Sequence, residues 1–199
     1  MSWIKPPTAT MVIKGAIIPH HLLASQFVID LGNKLSKQNP KRIFIIGPKH
    51  DEYSKEEDHS CWAPREELKK ILPNTEYICI TLNFLPKQKE IDNLISKLIS
   101  DKKIGDVYIA SVDFSHYLNI KKASVNDLKT QKLLENNDIN SLLKLNNDYL
   151  DSPRSIEVLW KVINVNELNM KIINHLNSAQ IMDRFDLPST TSYFEIIYN

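Results

Sequence analysis

Histidines and acidic residues follow several predicted strands at the point where each strand ends. His20 and His21 come directly after the apolar run "GAIIP", and His50 follows the run "IFIIGPK". Asp113 and His116 follow a third run, "VYIASV". In open α/β sheets, ligand sites lie beyond the carboxyl ends of the parallel strands. We therefore expect these side chains to meet at one edge of the sheet.

A fourth segment, "EEDHSCWAP", places His59 just before a predicted helix, whereas His175 lies outside the pattern. Each histidine taken alone is explained by the frequency of this residue in loops. The recurrence in four separate segments of a chain with only six histidines favours a common site over coincidence.

This set of side chains is typical of a metal centre. Two neutral imidazoles and one carboxylate form a facial triad that leaves coordination positions open, as in non-haem Fe(II) enzymes. The same ligands can hold Zn(II) with an activated water, so the residue types alone leave the metal undecided. A further histidine beside the metal would serve as a general acid or base, because its pKa lies near neutrality.

The elements that must position these residues alternate along the first half of the chain. Short β-branched runs at 11–19, 41–48, 76–82 and 105–114 predict buried strands, and helical spacing at 22–38, 64–72 and 89–103 separates them. Consecutive helices are predicted at 123–137, 138–147 and 152–165, followed by strands at 170–179 and 190–199. This order predicts an α/β fold with a mostly parallel central sheet flanked by helices. We find no repeat or linker, so 1–199 is expected to form a single domain.

Composition excludes several classes of function. The formal net charge is +1, and the lysines are interspersed with acids, so we expect no binding to nucleic acid or to an anionic membrane. No run approaches the roughly 18 apolar residues of a transmembrane helix, and the first residues do not resemble a secretion signal. The four glycines form neither GxGxxG nor GxxxxGK[ST], which excludes the standard nucleotide-binding loops. Cys61 and Cys79 suggest neither a disulfide framework nor a CxxC motif, so a cytoplasmic location is expected.

Several motifs together resemble the Memo-like family, also called AmmeMemoRadiSam system protein B. They are "IIPHHLL", "IFIIGPKH", "EDHS", "ASVDFSHY" and "DSPRSIEVLW", in that order, and the resemblance runs from about Val12 to Tyr193. It implies the fold of the class III extradiol dioxygenases, whose iron is held by two histidines and a carboxylate. "DHSCWAP" is also similar to an Asp-His-Gly-x-Trp-x-Pro stretch of some of those enzymes, with Ser60 in place of the glycine.

The resemblance assigns roles to individual positions. His20 and His50 match the two metal-binding histidines. Asp113 and His116 match catalytic pocket residues, with His116 in the place of the acid–base histidine, and His59 matches a further pocket histidine.

Two positions depart from the family pattern. Memo-like proteins commonly have a cysteine ligand where this chain has Asp151, and a carboxylate there would favour Fe(II), Mn(II) or Zn(II) over Cu(I). Alternatively, Asp151 is only a helix cap, although Ser152 could cap instead. His21 replaces a small residue, and it is either a ligand or, more simply, a capping or packing residue. The loop after His50 is also shorter than in the family, which affects substrate range.

Three functions are compatible with these features. The first is a metal-dependent, dioxygenase-like oxidoreductase with Fe(II) favoured, acting on an unknown small-molecule substrate. The second is a metal-binding protein without turnover, a partner of radical-SAM and AMMECR1-type proteins as the family resemblance implies. The third is a zinc hydrolase that uses the same pocket.

Overall fold

A seven-stranded sheet forms the centre of the protein in the computed structural model, which describes residues 12–51, 56–83 and 85–199. Its strands are β1 (Gly15–Ile18), β2 (Arg42–Pro48), β3 (Glu76–Leu82), β4 (Val107–Ser111), β5 (Phe114–Leu118), β6 (Met170–Asn177) and β7 (Thr190–Tyr198). The helices are α1 (Ser25–Leu35), α2 (His59–Ile71), α3 (Gln88–Asp101), α4 (Ile120–Glu135), α5 (Ile139–Leu142), α6 (Pro153–Ile163) and α7 (Ser178–Ile181).

The strand order is β3-β2-β4-β1-β7-β5, with β6 pairing on β7. Strands β3, β2, β4 and β1 are parallel, so their carboxyl ends share one edge of the sheet. Strand β7 runs antiparallel to β1, β5 and β6. The predicted α/β fold with a mostly parallel central sheet and flanking helices is therefore confirmed.

The region predicted as one strand at 105–114 contains two strands. Strand β4 ends at Ser111, and after two residues the chain enters β5, which pairs with β7 instead of continuing beside β1. The turn between them carries Asp113, which is 2% exposed. A change of pairing partner is decided by distant residues, so the apolar pattern of the segment does not reveal it.

Helices cover both faces of the sheet and bury its alternating side chains. On one face, α3 and α6 pack on residues such as Phe44 and Tyr108. On the other face, α1 and α2 pack on residues such as Ile43 and Ile45. None of the helices in the described ranges combines the length and the apolar character that a membrane span requires.

Helix α2 begins earlier than its sequence pattern indicates. The apolar spacing and Pro64 predict a start at residue 64, but the helix starts at His59. The Asp58 carboxylate accepts a hydrogen bond from the Ser60 N–H at 2.9 Å and so caps the new first turn. His59 is therefore the first residue of the helix and does not lie in a loop before it.

Cys61 and Cys79 form a disulfide between α2 and β3, with their Cα atoms 5.8 Å apart. The expectation that the two cysteines form no disulfide is wrong. Their separation of 18 residues matches no motif, and only the packing of α2 on the sheet brings them together. Because cytosolic thiols are kept reduced, this bond argues against the cytoplasmic location, which stays a prediction.

Candidate metal centre

His20 lies at the centre of the site because the buried inner strand β1 ends at Ile18, and only Pro19 separates the strand from this histidine. Its side chain is almost fully buried. The His20 N–H donates to Asp113 Oδ1 at 3.1 Å, and His20 Nδ1 lies 3.3 Å from Ser111 Oγ at the end of β4. Its other ring nitrogen, Nε2, lies 3.2 Å from Asp151 Oδ2 and 3.6 Å from Asp113 Oδ2. The imidazole is thus held on one side and presented to two carboxylates on the other.

His50 follows β2 and is oriented by Asp58. The His50 N–H donates to Asp58 Oδ2 at 2.6 Å, and His50 Nδ1 lies 2.7 Å from Asp58 Oδ1. A carboxylate on Nδ1 fixes the tautomer that leaves Nε2 available for a metal ion, as is common behind metal-bound histidines. Asp58 is not among the site residues predicted from the sequence, although its place before His59 and the following helix is a usable signal.

Three histidines form the first group of possible metal ligands. The ring centroids lie 5.1 Å apart for His20 and His50, 5.0 Å for His20 and His59, and 4.1 Å for His50 and His59. One nitrogen from each lies within 4.8 Å of the others. Nitrogens about 2 Å from one ion are at most about 4 Å apart, so small side-chain rotations would bring all three to an ion.

A second group shares His20 and contains two carboxylates. Ligand atoms of His20, Asp113 and Asp151 also lie within 4.8 Å of one another. The predicted ligands His20, His50 and Asp151 are therefore divided between two groups that meet at His20. His20 and His50 lie near each other as predicted, with their ligand nitrogens within 4.8 Å, whereas their role as metal ligands stays a prediction.

Asp151 does not cap α6. Ser152 occupies the cap position, and its hydroxyl lies 2.7 Å from Ser155 Oγ. The Asp151 carboxylate turns towards His20, and Asp113 N–H lies 3.4 Å from its Oδ2. The capping alternative is thus excluded by the orientation of this side chain.

Two buried atoms of the site have no hydrogen-bond partner among the residues that the structure describes. They are Asp151 Oδ1 and His116 Nδ1. An unsatisfied buried carboxylate oxygen costs free energy, and a cation at this point would remove that cost. The donor set and the unsatisfied oxygen both fit a divalent metal ion.

His116 belongs to neither ligand group. A positive charge on its ring would lower the pKa of Asp113. The neighbours of His116 in β5, Ser115 and Tyr117, have φ values of 36° and 59°, a region that non-glycine residues rarely adopt. His116 is partly buried, with its Nδ1 inaccessible to solvent, while Tyr117 is exposed.

A hydrogen-bond chain that begins at the buried Ser115 and Asp127 and ends at the surface residue His175 lies beside this unusual backbone. Ser115 Oγ donates to Asp127 Oδ1 at 2.6 Å, and Asp127 Oδ2 lies 2.9 Å from His175 Nε2. The His175 ring stacks on Phe194 at 4.0 Å. His175 therefore lies outside the metal centre, as predicted. Asp127 is not among the predicted site residues, because in the sequence it looks like an ordinary helical residue.

The pKa values follow from burial and neighbouring charge. Burial alone would lower the pKa of His20, but Asp113 and Asp151 outweigh it and raise this pKa to about 9. Burial and the neighbouring His50 and His20 lower the pKa of His59 to about 4, so His59 is a neutral imidazole at pH 7. Burial and Asp151 raise the pKa of Asp113, against the attraction of His20. An ion bound here would have to displace the proton of His20.

His21 is exposed and lies outside the ligand groups. It caps the short 3-10 turn Leu22–Ala24, with its Nδ1 accepting a hydrogen bond from Leu23 N–H at 3.3 Å. The capping interpretation of His21 therefore agrees with the structure. Of the short loop after His50, residues 52–55 lie outside the described residues.

Comparison of the sequence with protein-family models and with curated proteins finds no match. The interpretation of the site therefore depends on its own geometry and on the motifs quoted above.

Proposed function

We propose that this chain is a Memo-like metal-binding protein with a class III extradiol dioxygenase-like fold. We further propose that it acts as a non-haem iron oxidoreductase on a small-molecule substrate. One observation carries the proposal: His20, just after a parallel strand, has ligand atoms of two histidines and of two carboxylates within 4.8 Å. The unsatisfied Asp151 Oδ1 in the same pocket supports a cation at this point.

Under this proposal, His20 and His50 hold the ion together with Asp151. An Fe(II) ion so held would supply open coordination positions for oxygen and substrate. Asp58 keeps His50 Nε2 directed at the ion, and Asp113 holds the backbone of His20 in place.

Under the same proposal, His116 and Asp113 would transfer protons, and His59 would contact the substrate. His116 Nδ1 is buried and without a partner among the described residues, so it can accept a proton from a substrate hydroxyl. Asp113, whose pKa is raised by burial, is the neighbouring group that can exchange a proton with it. His59 lies at the more exposed side, with 44% of its side chain accessible, where a substrate would first make contact.

A second candidate is a zinc hydrolase, and the three-histidine group specifically favours it. Three imidazoles and a water molecule are a recurrent catalytic zinc site, and the low pKa of His59 keeps it neutral and able to bind metal. The third alternative is a non-catalytic partner of radical-SAM and AMMECR1-type proteins, which would bind metal without turnover.

Metal binding by matched variants distinguishes these functions. The full chain is purified without oxygen, and Fe(II) and Zn(II) affinities are measured for wild type, Asp151→Asn and His59→Ala. Asp148→Asn is the control, because it changes an exposed acid of the same loop. We expect Asp151→Asn to weaken Fe(II) binding at least about tenfold, since a neutral oxygen replaces an anionic ligand.

The results distinguish the proposed functions. A loss of metal affinity in His59→Ala alone would favour the zinc hydrolase, and unchanged metal affinity in both variants would refute the proposed metal centre. Nitric oxide binding to the Fe(II) protein, followed by EPR, then tests for the open coordination position that a dioxygenase needs.

A further inference from the structure

A cleft of about 300 Å³ opens directly beside the candidate metal centre. His50 and Asp151 of the candidate metal centre line it, together with Arg154 at the start of α6. Ligand pockets usually measure about 300–1,000 Å³, so this cleft suits a small ligand.

The lining of the cleft is mixed. Pro48, Leu82 and Pro153 contribute apolar surface, and Lys49, Asn83 and Asn147 contribute polar groups. A small ligand with an apolar body and one polar end suits this lining.

Arg154 is held in a fixed orientation. Its Nη1 donates to Gln88 Oε1 at 2.7 Å and to Glu157 Oε2 at 2.6 Å. Both hydrogen bonds use the same nitrogen, and within the described ranges Nε and Nη2 donate to no protein acceptor. Two further nitrogens of the planar guanidinium, with three N–H donors between them, are thus left for a ligand.

The local charge favours an anion. Glu157 is nearly buried, and it is shared by two cations, because its Oε1 also lies 2.8 Å from Lys161 Nζ. Glu157 therefore does not neutralise Arg154 alone, because Lys161 shares the same carboxylate. A guanidinium matches the planar, bidentate geometry of a carboxylate better than a point charge does.

We infer that this cleft binds a small organic acid, with its carboxylate on Arg154 and its apolar body directed at the metal centre. The inference rests on the proposed function for the role of His50 and Asp151, and on Arg154 alone for the recognition of the acid. The substrate of the proposed metal centre would then be a monocyclic or short-chain carboxylic acid.

The test compares acids with their neutral amides. Benzoate and butyrate are titrated against benzamide and butyramide, by NMR chemical-shift perturbation on the full chain, both metal-free and loaded with Zn(II). We expect at least one acid to bind about tenfold or more tightly than its amide, because a charge-assisted hydrogen bond is lost with the amide. Equal affinity of both acids and their amides, or no binding of either acid, would overturn the inference.

Two variants locate the effect. Arg154→Gln should abolish the preference for the acid, while Lys161→Gln removes the other cation on Glu157 without touching the cleft and should leave the preference intact. An equal loss in both variants would mean that general charge, and not Arg154, recognises the acid, which overturns the inference. Thermal unfolding confirms that both variants are folded.

The metal titration keeps the two proposals apart. Failure to bind metal would refute the proposed function, whereas the acid preference of the metal-free protein is measured independently of it. Conversely, a protein that binds Fe(II) or Zn(II) and shows no acid preference would refute only the inference about the substrate.

Discussion

Replacing Asp58 by asparagine should separate the role of this residue in metal binding from its role as a helix cap. The carboxylate accepts hydrogen bonds from Ser60 N–H, from the His50 backbone N–H and from the His50 ring. Asparagine caps a helix as well as aspartate, and its oxygen can serve two of these donors. Its amide nitrogen then faces the third donor, and the negative charge behind His50 is lost.

The expected magnitude follows from these contacts. Removing the partner that orients a metal-bound histidine typically weakens metal affinity about 10- to 100-fold. The lost hydrogen bond to a charged group should lower the free energy of unfolding by about 1.5–3 kcal/mol. The two effects are measured separately, by competitive Zn(II) and Fe(II) titration and by urea unfolding of the metal-free protein.

Asp138→Asn is the matched control for Asp58→Asn. Asp138 caps α5 by accepting a hydrogen bond from Ser141 N–H at 3.0 Å, and it belongs to neither ligand group. The Asp138→Asn substitution should leave metal affinity unchanged. If Asp58→Asn folds and binds metal as tightly as wild type does, His50 is not a ligand that depends on Asp58, and the orientation argument is refuted.

Four further predictions test other parts of the structure. Gly47→Ala should lower the free energy of unfolding in urea by about 1–3 kcal/mol and weaken metal binding, because the added Cβ would lie 2.7 Å from Ser60 Oγ at the start of α2. Unchanged stability and metal affinity would contradict this close approach. Reducing the disulfide should cost about 3 kcal/mol of stability for a closed loop of this length, and an unchanged urea midpoint would indicate free thiols. Asp127→Asn should move the NMR signals of the His116 ring as well as destabilise the fold, and a loss of stability alone would mean that Asp127 does not position His116. The pKa of His20 is raised from 6.5 to about 9, so its contribution to the stability of the metal-free protein is complete below pH 6.5 and is lost as the pH rises through 9. Metal affinity should rise over the same pH interval, because the ion competes with the His20 proton. A metal affinity that does not depend on pH would contradict this prediction.

Local patterns in the sequence were sufficient for the elements and for their order. Apolar runs of β-branched residues identify the buried strands, because a strand covered on both faces has no polar side to show. The rule that ligands lie beyond parallel strand ends then places His20 and His50 at one edge, and the structure brings them together.

Packing between distant segments decided the details of the site. The sequence allowed Asp151 to be a ligand or a cap, and the choice depends on which way its side chain turns when α6 docks beside β4. The early start of α2, which brings His59 into contact with His50, likewise depends on Asp58 meeting the end of β2.

The sequence by itself determined the fold class and the residues that could do chemistry, because these depend on periodicity and on residue type. Only the tertiary structure decided that His20 joins two ligand groups, that Asp58 and Asp127 support the site, and that two cysteines form a bond. These features depend on the direction of individual side chains and on contacts between residues far apart in the chain. No local pattern encodes such contacts, since each is set by the packing of the whole sheet and its helices.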